Sequence, residues 1–207
     1  MKKHAHLPGL LGVALLCAVS LARAATVTVQ VQDASGKPLI DAVAYLESAQ
    51  ASKALSTAKP ATAVQIAQIA RQFEPRVTAI SVGTLVSFPN QDAVRHHVYS
   101  FSPAKTFELK LYSGTPANPV QFDKAGVAVL GCNIHDNMVA WVVVVDTPYF
   151  GRSAKNTPVA LANVPAGSYR LRVWHPGLAV GAAALDQAFT VESADASVTV
   201  RLAGIPE

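Results

Sequence analysis

The sequence predicts an all-β chain of β-sandwich type, and three observations carry the prediction. Polar and apolar residues alternate along 26–31, 107–112, 169–173 and 198–202, the period of a strand with one wet face. Turn-forming residues punctuate the chain at short intervals, as in Ser35-Gly36-Lys37-Pro38. No apolar pattern of helical period is sustained over a long segment. Packed sheets are then the way to bury a chain that is 51% hydrophobic and 14% charged. The same balance excludes a disordered chain, which needs low hydrophobicity and high charge.

Taken in order, Thr26-Val27-Thr28-Val29-Gln30-Val31 is the first strand and residues 42–46 form the second. Residues 49–63, rich in Ala, Ser, Thr and Lys and containing Pro60, read as a loop or linker. Residues 64–73 are ambiguous: Ile66, Ile69, Ala70 and Phe73 could share a helix face, but the segment is short and stops at Pro75. Residues 77–82 and 85–88 are strands about a Gly83-Thr84 turn. Phe107, Leu109 and Leu111 then alternate with Glu108, Lys110 and Tyr112, and residues 113–121 are turn-rich. Residues 127–130 and 139–145 are nearly continuous apolar runs, the mark of strands covered on both faces. Tyr169, Leu171 and Val173 alternate with Arg170 and Arg172, and Val198, Val200 and Leu202 close the chain in the same way.

Residues 1–24 read as a secretory signal. Lys2 and Lys3 supply the positive start, residues 7–21 are apolar but short for a bilayer span, and Ala22-Arg23-Ala24 fits the small-x-small rule for cleavage after Ala24. Bulky Leu16 before Cys17 argues against lipidation there. The 17 basic residues outnumber the 13 acidic ones, but Lys2, Lys3 and Arg23 belong to the leader; without them 14 face 13. No clustered basic face remains, so no nucleic acid is expected as a partner. After cleavage no membrane span is expected, and the mature chain is expected in the periplasm. It then holds one cysteine, Cys132, one methionine, Met138, and four histidines. A single thiol in an oxidising compartment is a hazard unless it is buried, reactive or bound to metal.

The residues that carry chemistry lie in Gly131-Cys132-Asn133-Ile134-His135-Asp136-Asn137-Met138. Cys132, His135 and Met138 form C-x2-H-x2-M at the junction of two apolar strands. Soft sulfur with imidazole nitrogen suits copper, and a His2Cys plane with a long axial Met is the blue-copper arrangement. One more histidine is needed. His96 and His97 are adjacent, so on a strand they point to opposite faces. His96 shares parity with Val94 and Val98, which look inward-facing, so His96 is the candidate.

Gly83-x-x-Val86-x-Phe88-x-Asn90, then His96-x-Val98, then Cys132-x2-His135-x2-Met138 resemble the cupredoxins, and the short Cys-to-Met loop is more similar to amicyanin than to plastocyanin. The resemblance implies a Greek-key cupredoxin β-sandwich over residues 63–147. It implies one type 1 copper held by His96, Cys132, His135 and Met138, with the backbone N–H of His97 donating to the Cys132 sulfur. Proline is missing from the loop, and Val127, Val129 and Leu130 stand where aromatic residues are usual. Residues 25–62 and 148–207 resemble two parts of a flanking carboxypeptidase-regulatory-like β domain, through residues 26–46 and Val164-Pro165-Ala166-Gly167-Ser168-Tyr169-Arg170-Leu171. The alternative is one enlarged cupredoxin sheet. Trp174-His175-Pro176-Gly177 is left open between a docking residue, a second metal ligand and a strand end.

Proteins of this layout are often labelled methylamine-utilisation proteins. The resemblance implies a periplasmic one-electron carrier linked to amine oxidation, with a quinoprotein dehydrogenase or a c-type cytochrome as redox partner. The alternative is a copper-delivery module or a vestigial site without redox turnover. No enzymatic activity is expected: a trinuclear copper cluster needs far more than four histidines, and a Cys132–His135 nucleophile pair leaves the neighbouring Met without a role.

Overall fold

In the computed structural model, which describes residues 24–57 and 63–206, the alternating runs become strands of an all-β fold. The expected leader lies outside the described residues apart from Ala24. β1 (Ala25–Gln32) buries Ala25, Val27, Val29 and Val31 in strict alternation. β2 (Val43–Glu47) follows. Residues 49–57, expected to belong to a linker over 49–63 whose residues 58–62 lie outside the described residues, form helix α1 (Ala49–Thr57) instead. Ser48 caps it, its hydroxyl accepting the Ala51 N–H at 3.1 Å. Alanines supply the helix propensity, and only Ala51 is buried. With no apolar stripe, the segment carries no periodic signal.

The ambiguous stretch 64–73 resolves into β3 (Val64–Gln65), β4 (Ala67–Ile69) and β5 (Gln72–Glu74), not a helix. β4 and β5 pair as a hairpin whose two turn residues, Ala70 and Arg71, take φ of 51° and 58°. That left-handed pair suits the right-handed twist of the strands. β6 (Val77–Ser81) and β7 (Thr84–Ser87) flank Gly83, whose φ of 90° few side chains tolerate. β8 (His96–Ser102) and β9 (Lys105–Tyr112) form a hairpin with an irregular register: His96 faces Tyr112 but Val98 faces Leu109. The extra residue lies in β9, so Lys110 and Leu111 both turn outward and Leu111 is exposed. This breaks the alternation expected for Leu111 and leaves the parity of β8 intact. Val94, expected to face inward, precedes the strand and is exposed.

β10 (Val120–Phe122), β11 (Gly126–Gly131) and β12 (Val139–Val145) complete the central part, and β13 (Phe150–Arg152), β14 (Val159–Val164), β15 (Gly167–Trp174), β16 (Leu185–Val191) and β17 (Ala196–Arg201) end the chain. The strands form two sandwiches. In the first, the sheet β6-β12-β11-β8-β9 faces β10-β7-β3. Between them lies a core that includes Ile80, Val86, Val98, Phe122, Leu130 and Val142. The chain passes between these sheets at β6–β7, β7–β8, β9–β10 and β10–β11 in Greek-key fashion. In the second, β14-β1-β17 faces β13-β2-β15-β16 around Val27, Val29, Leu46, Leu161, Leu171 and Val173. Strands before and after the first sandwich therefore pair with one another.

The two sandwiches meet face to face. Val43 and Trp174 of one pack with Val77, Val143 and Val145 of the other. Residues of β2 alternate between this junction (Val43, Tyr45) and the second core (Ala44, Leu46), so its sheet is covered on both faces. At the rim Trp141 and Trp174 lie 6.5 Å apart, and the Arg76 guanidinium stands 4.9 Å over the Trp141 ring. No helix among the described residues is long and apolar enough to cross a membrane.

His175 is absorbed by local structure. Its Nδ1 accepts the Gly177 N–H at 3.0 Å, which leaves the proton on Nε2 to donate to the Ile40 carbonyl at 3.0 Å. Burial holds its pKa below the ordinary 6.5, against the bond to Ile40 and the charge of Asp41, which raise it, and with a smaller lowering from Arg76. An unfolded chain thus takes up this proton before the folded one does. The contribution of His175 to stability is complete above about pH 6.5 and shrinks as pH falls below it, through the folded value. Thermal melts across that range should show a smaller acid-side loss for His175→Gln than for the parent. Equal slopes would remove His175 from the pH dependence.

Candidate metal centre

The site forms where β8 begins and β11 ends, because the register sets Tyr99 opposite Gly131. Gly131 lets the Tyr99 ring lie over the strand: a Cβ at this position would stand 2.7 Å from that ring and push it aside. Cys132 follows directly and opens the loop to Met138. The Met138 N–H donates to the His135 carbonyl at 3.0 Å and the Val139 N–H to that of Asn137 at 3.1 Å, which folds the loop tightly.

The second loop, residues 88–95, is held by Asn90. Its amide nitrogen donates to the carbonyls of Val94 at 2.8 Å and Tyr112 at 3.0 Å, and its side-chain oxygen accepts the Asp92 N–H at 2.9 Å. The Tyr112 hydroxyl donates to the Phe88 carbonyl at 2.7 Å, and burial pushes its pKa up to about 12, so it remains a donor. These bonds fix the chain as it enters β8, where His96 points inward and is fully buried while His97 points to the opposite face. The His97 ring lies 5.6 Å from that of Tyr99 and its Nε2 is 3.0 Å from the Glu108 carboxylate, without the alignment of a hydrogen bond.

The structure brings His96, Cys132 and His135 together. Cys132 Sγ lies 3.9 Å from His96 Nδ1 and 3.8 Å from His135 Nδ1, and the two rings stand edge-on at 5.0 Å. One donor atom from each falls within 4.8 Å of the others, so the trio could hold a metal ion. Cys132 and His96 are buried and His135 is half-exposed. Met138 is 1% exposed and belongs to the same core cluster as Cys132. His175, near the junction of the sandwiches, stays apart from this trio.

Sequence reasoning missed Asp92. Its Oδ2 lies 2.7 Å from His96 Nε2, the ring atom away from the sulfur. The same carboxylate accepts the N–H of Ala70 at 2.7 Å and of Arg71 at 2.9 Å, capping the left-handed hairpin turn. Desolvation alone would raise its pKa, but the bonds from Arg71, His96 and Ala70 outweigh it and hold the carboxyl below its ordinary value. The spacing Asp-x3-His was the available signal.

No family model and no curated protein matches the chain. Solved structures similar to part of it include a Cu-containing nitrite reductase from Thermus scotoductus SA-01, 25% identical over 42% of this chain and 23% of that one, with a TM-score of 0.39. A purple cupredoxin from Nitrosopumilus maritimus is 26% identical over 40% of this chain and 99% of that one, at a TM-score of 0.36. Amicyanin from Paracoccus versutus is 19% identical over 42% of this chain and 85% of that one, at 0.35. The chain thus spans less than a quarter of the nitrite reductase and most of the length of the two small proteins.

Proposed function

We propose that this chain is a periplasmic type 1 copper protein that carries one electron at a time. The observation that carries the reading is the trio of His96, Cys132 and His135, its imidazole Nδ1 atoms turned toward one buried sulfur. The donor set fits copper: two imidazole nitrogens and a thiolate, with the thioether of buried Met138 as a weak fourth donor. When bound, copper supplies the one-electron couple between Cu(II) and Cu(I). The protein's own part is to hold these donors in place and keep water away, which the burial of His96, Cys132 and Met138 achieves. Buried donors also argue against a delivery module, which needs an exchangeable site.

His135 is the half-exposed member, and its neighbour Ile134 is exposed. That is the side on which a redox partner would approach, and we assign a quinoprotein dehydrogenase or c-type cytochrome of an amine-oxidising system to that role. We read the site as one for electron transfer and not for catalysis, because a nucleophilic Cys132–His135 pair would leave the buried Met138 beside it without a role. The second sandwich we read as carboxypeptidase-regulatory-like, covering the outer face of the copper-bearing sheet.

The test is to express the full chain, recover it from the periplasm, and add Cu(II). The recovered protein should begin at Ala25. An intense visible charge-transfer band with a matching EPR signal is the expected result. Stoichiometric Cu(II) uptake without colour would overturn the type 1 reading.

A further inference from the structure

We propose that Asp92 is a positioning residue that locks the proton of His96 on Nε2 and so keeps the Nδ1 lone pair turned toward Cys132. The inference rests on the metal-binding reading of the trio and deepens it. A neutral imidazole has one donor and one acceptor nitrogen, and the partner of one decides the role of the other. An ionised carboxylate only accepts, so the 2.7 Å contact from Asp92 Oδ2 requires a hydrogen on His96 Nε2. Nδ1, 3.9 Å from the Cys132 sulfur, is then left with its lone pair. The ring is fully buried, so no solvent competes for either nitrogen.

The lock is itself held. Asp92 is pinned by the Ala70 and Arg71 N–H groups, which sit in the left-handed turn between β4 and β5. Its own N–H is tied to Asn90. Two chain segments some twenty residues apart, the β4–β5 turn and the loop leading into β8, thus meet on one carboxylate, and the hairpin 67–74 fixes the group that orients a donor. Outer partners of this kind typically change metal affinity 10- to 100-fold when removed.

Asp92→Asn tests this with little change in shape. The amide has one oxygen for three N–H donors, and where its NH2 group meets His96 the ring must accept at Nε2 and carry its hydrogen on Nδ1. Long-range nitrogen–proton NMR of the metal-free parent, under conditions where the ring is neutral, should show His96 protonated at Nε2. The variant should shift His96 toward the Nδ1–H form. Its Zn(II) affinity, a redox-silent probe of a Cys–His donor set, should fall about 10-fold or more. A hydrogen on Nδ1 in the parent would overturn the proposal. So would a variant that melts lower yet keeps the parent's tautomer and Zn(II) affinity, since that describes a purely structural bond. The parent's NMR spectrum needs neither copper nor a variant. A parent that shows the Nε2 hydrogen but stays colourless with Cu(II) would refute the copper reading and leave the role of Asp92 standing.

Discussion

Cys132→Ser is expected to abolish the visible charge-transfer band outright and to weaken Cu(II) binding by more than about 100-fold, beyond the 10- to 100-fold typical of losing an outer hydrogen bond. The band needs a thiolate on the metal, and apart from Cys17, in the segment expected to be a leader, Cys132 is the one cysteine of the sequence. The substitution should leave the fold intact. A buried hydroxyl is costly only when it lacks a partner, at about 1–3 kcal/mol in proteins. Here the nearest ring nitrogens, on His96 and His135, lie 3.9 and 3.8 Å from the sulfur, and a serine oxygen on its shorter bond stands too far from either for a hydrogen bond unless the half-exposed His135 ring moves toward it. The metal-free variant should therefore fold, with a melting point lowered by at most roughly 2–12 °C. A variant that keeps the colour, or loses it only because it no longer folds, would deny Cys132 its role.

What was legible in the sequence follows from how local each feature is. Cys132, His135 and Met138 lie within seven residues between two apolar strands, so their placement in one loop needs no tertiary information. The inward face of His96 followed from strand parity, because the irregularity in the β8–β9 register falls on β9. The features missed depend on partners far along the chain. Leu111 is thrown outward by a register shift that the pattern of β9 alone cannot reveal. Asp92 reaches significance only through a turn some twenty residues earlier, where Ala70 and Arg71, neither of them glycine, take left-handed backbone angles. The ladder of β1 between β14 and β17 joins the two flanking segments, which the resemblance grouped into one domain without naming the pairing. Alternation shows that β1 is a strand with one buried face, but it does not name its neighbours. Helix α1 was missed for the opposite reason: it packs so little that it leaves no apolar rhythm.

Met138→Gln is expected to act on stability and on potential, and the two effects separate its two roles. Met138 is 1% exposed within the cluster of Phe88, Phe122, Leu130 and Cys132, with no solvent to receive an amide. An unpartnered amide there costs about 1–3 kcal/mol. For a chain of this size that corresponds to a melting point lowered by roughly 2–12 °C in the metal-free protein. This loss follows from burial alone and occurs whether or not the thioether meets the metal. The potential is different. A thioether is a soft donor suited to Cu(I), whereas an amide oxygen is harder and favours Cu(II), so an axial Gln should lower the potential of the copper-loaded protein. Met138→Ala supplies the control for packing, since it opens a cavity costing about 2–5 kcal/mol and places no oxygen near the metal. Cyclic voltammetry beside thermal melts of the copper-free proteins then decides the matter. A lower potential in Met138→Gln, on top of the expected loss in melting point, places the thioether on copper. A lower melting point with an unchanged potential makes Met138 a core residue and reduces the donor set to His96, Cys132 and His135.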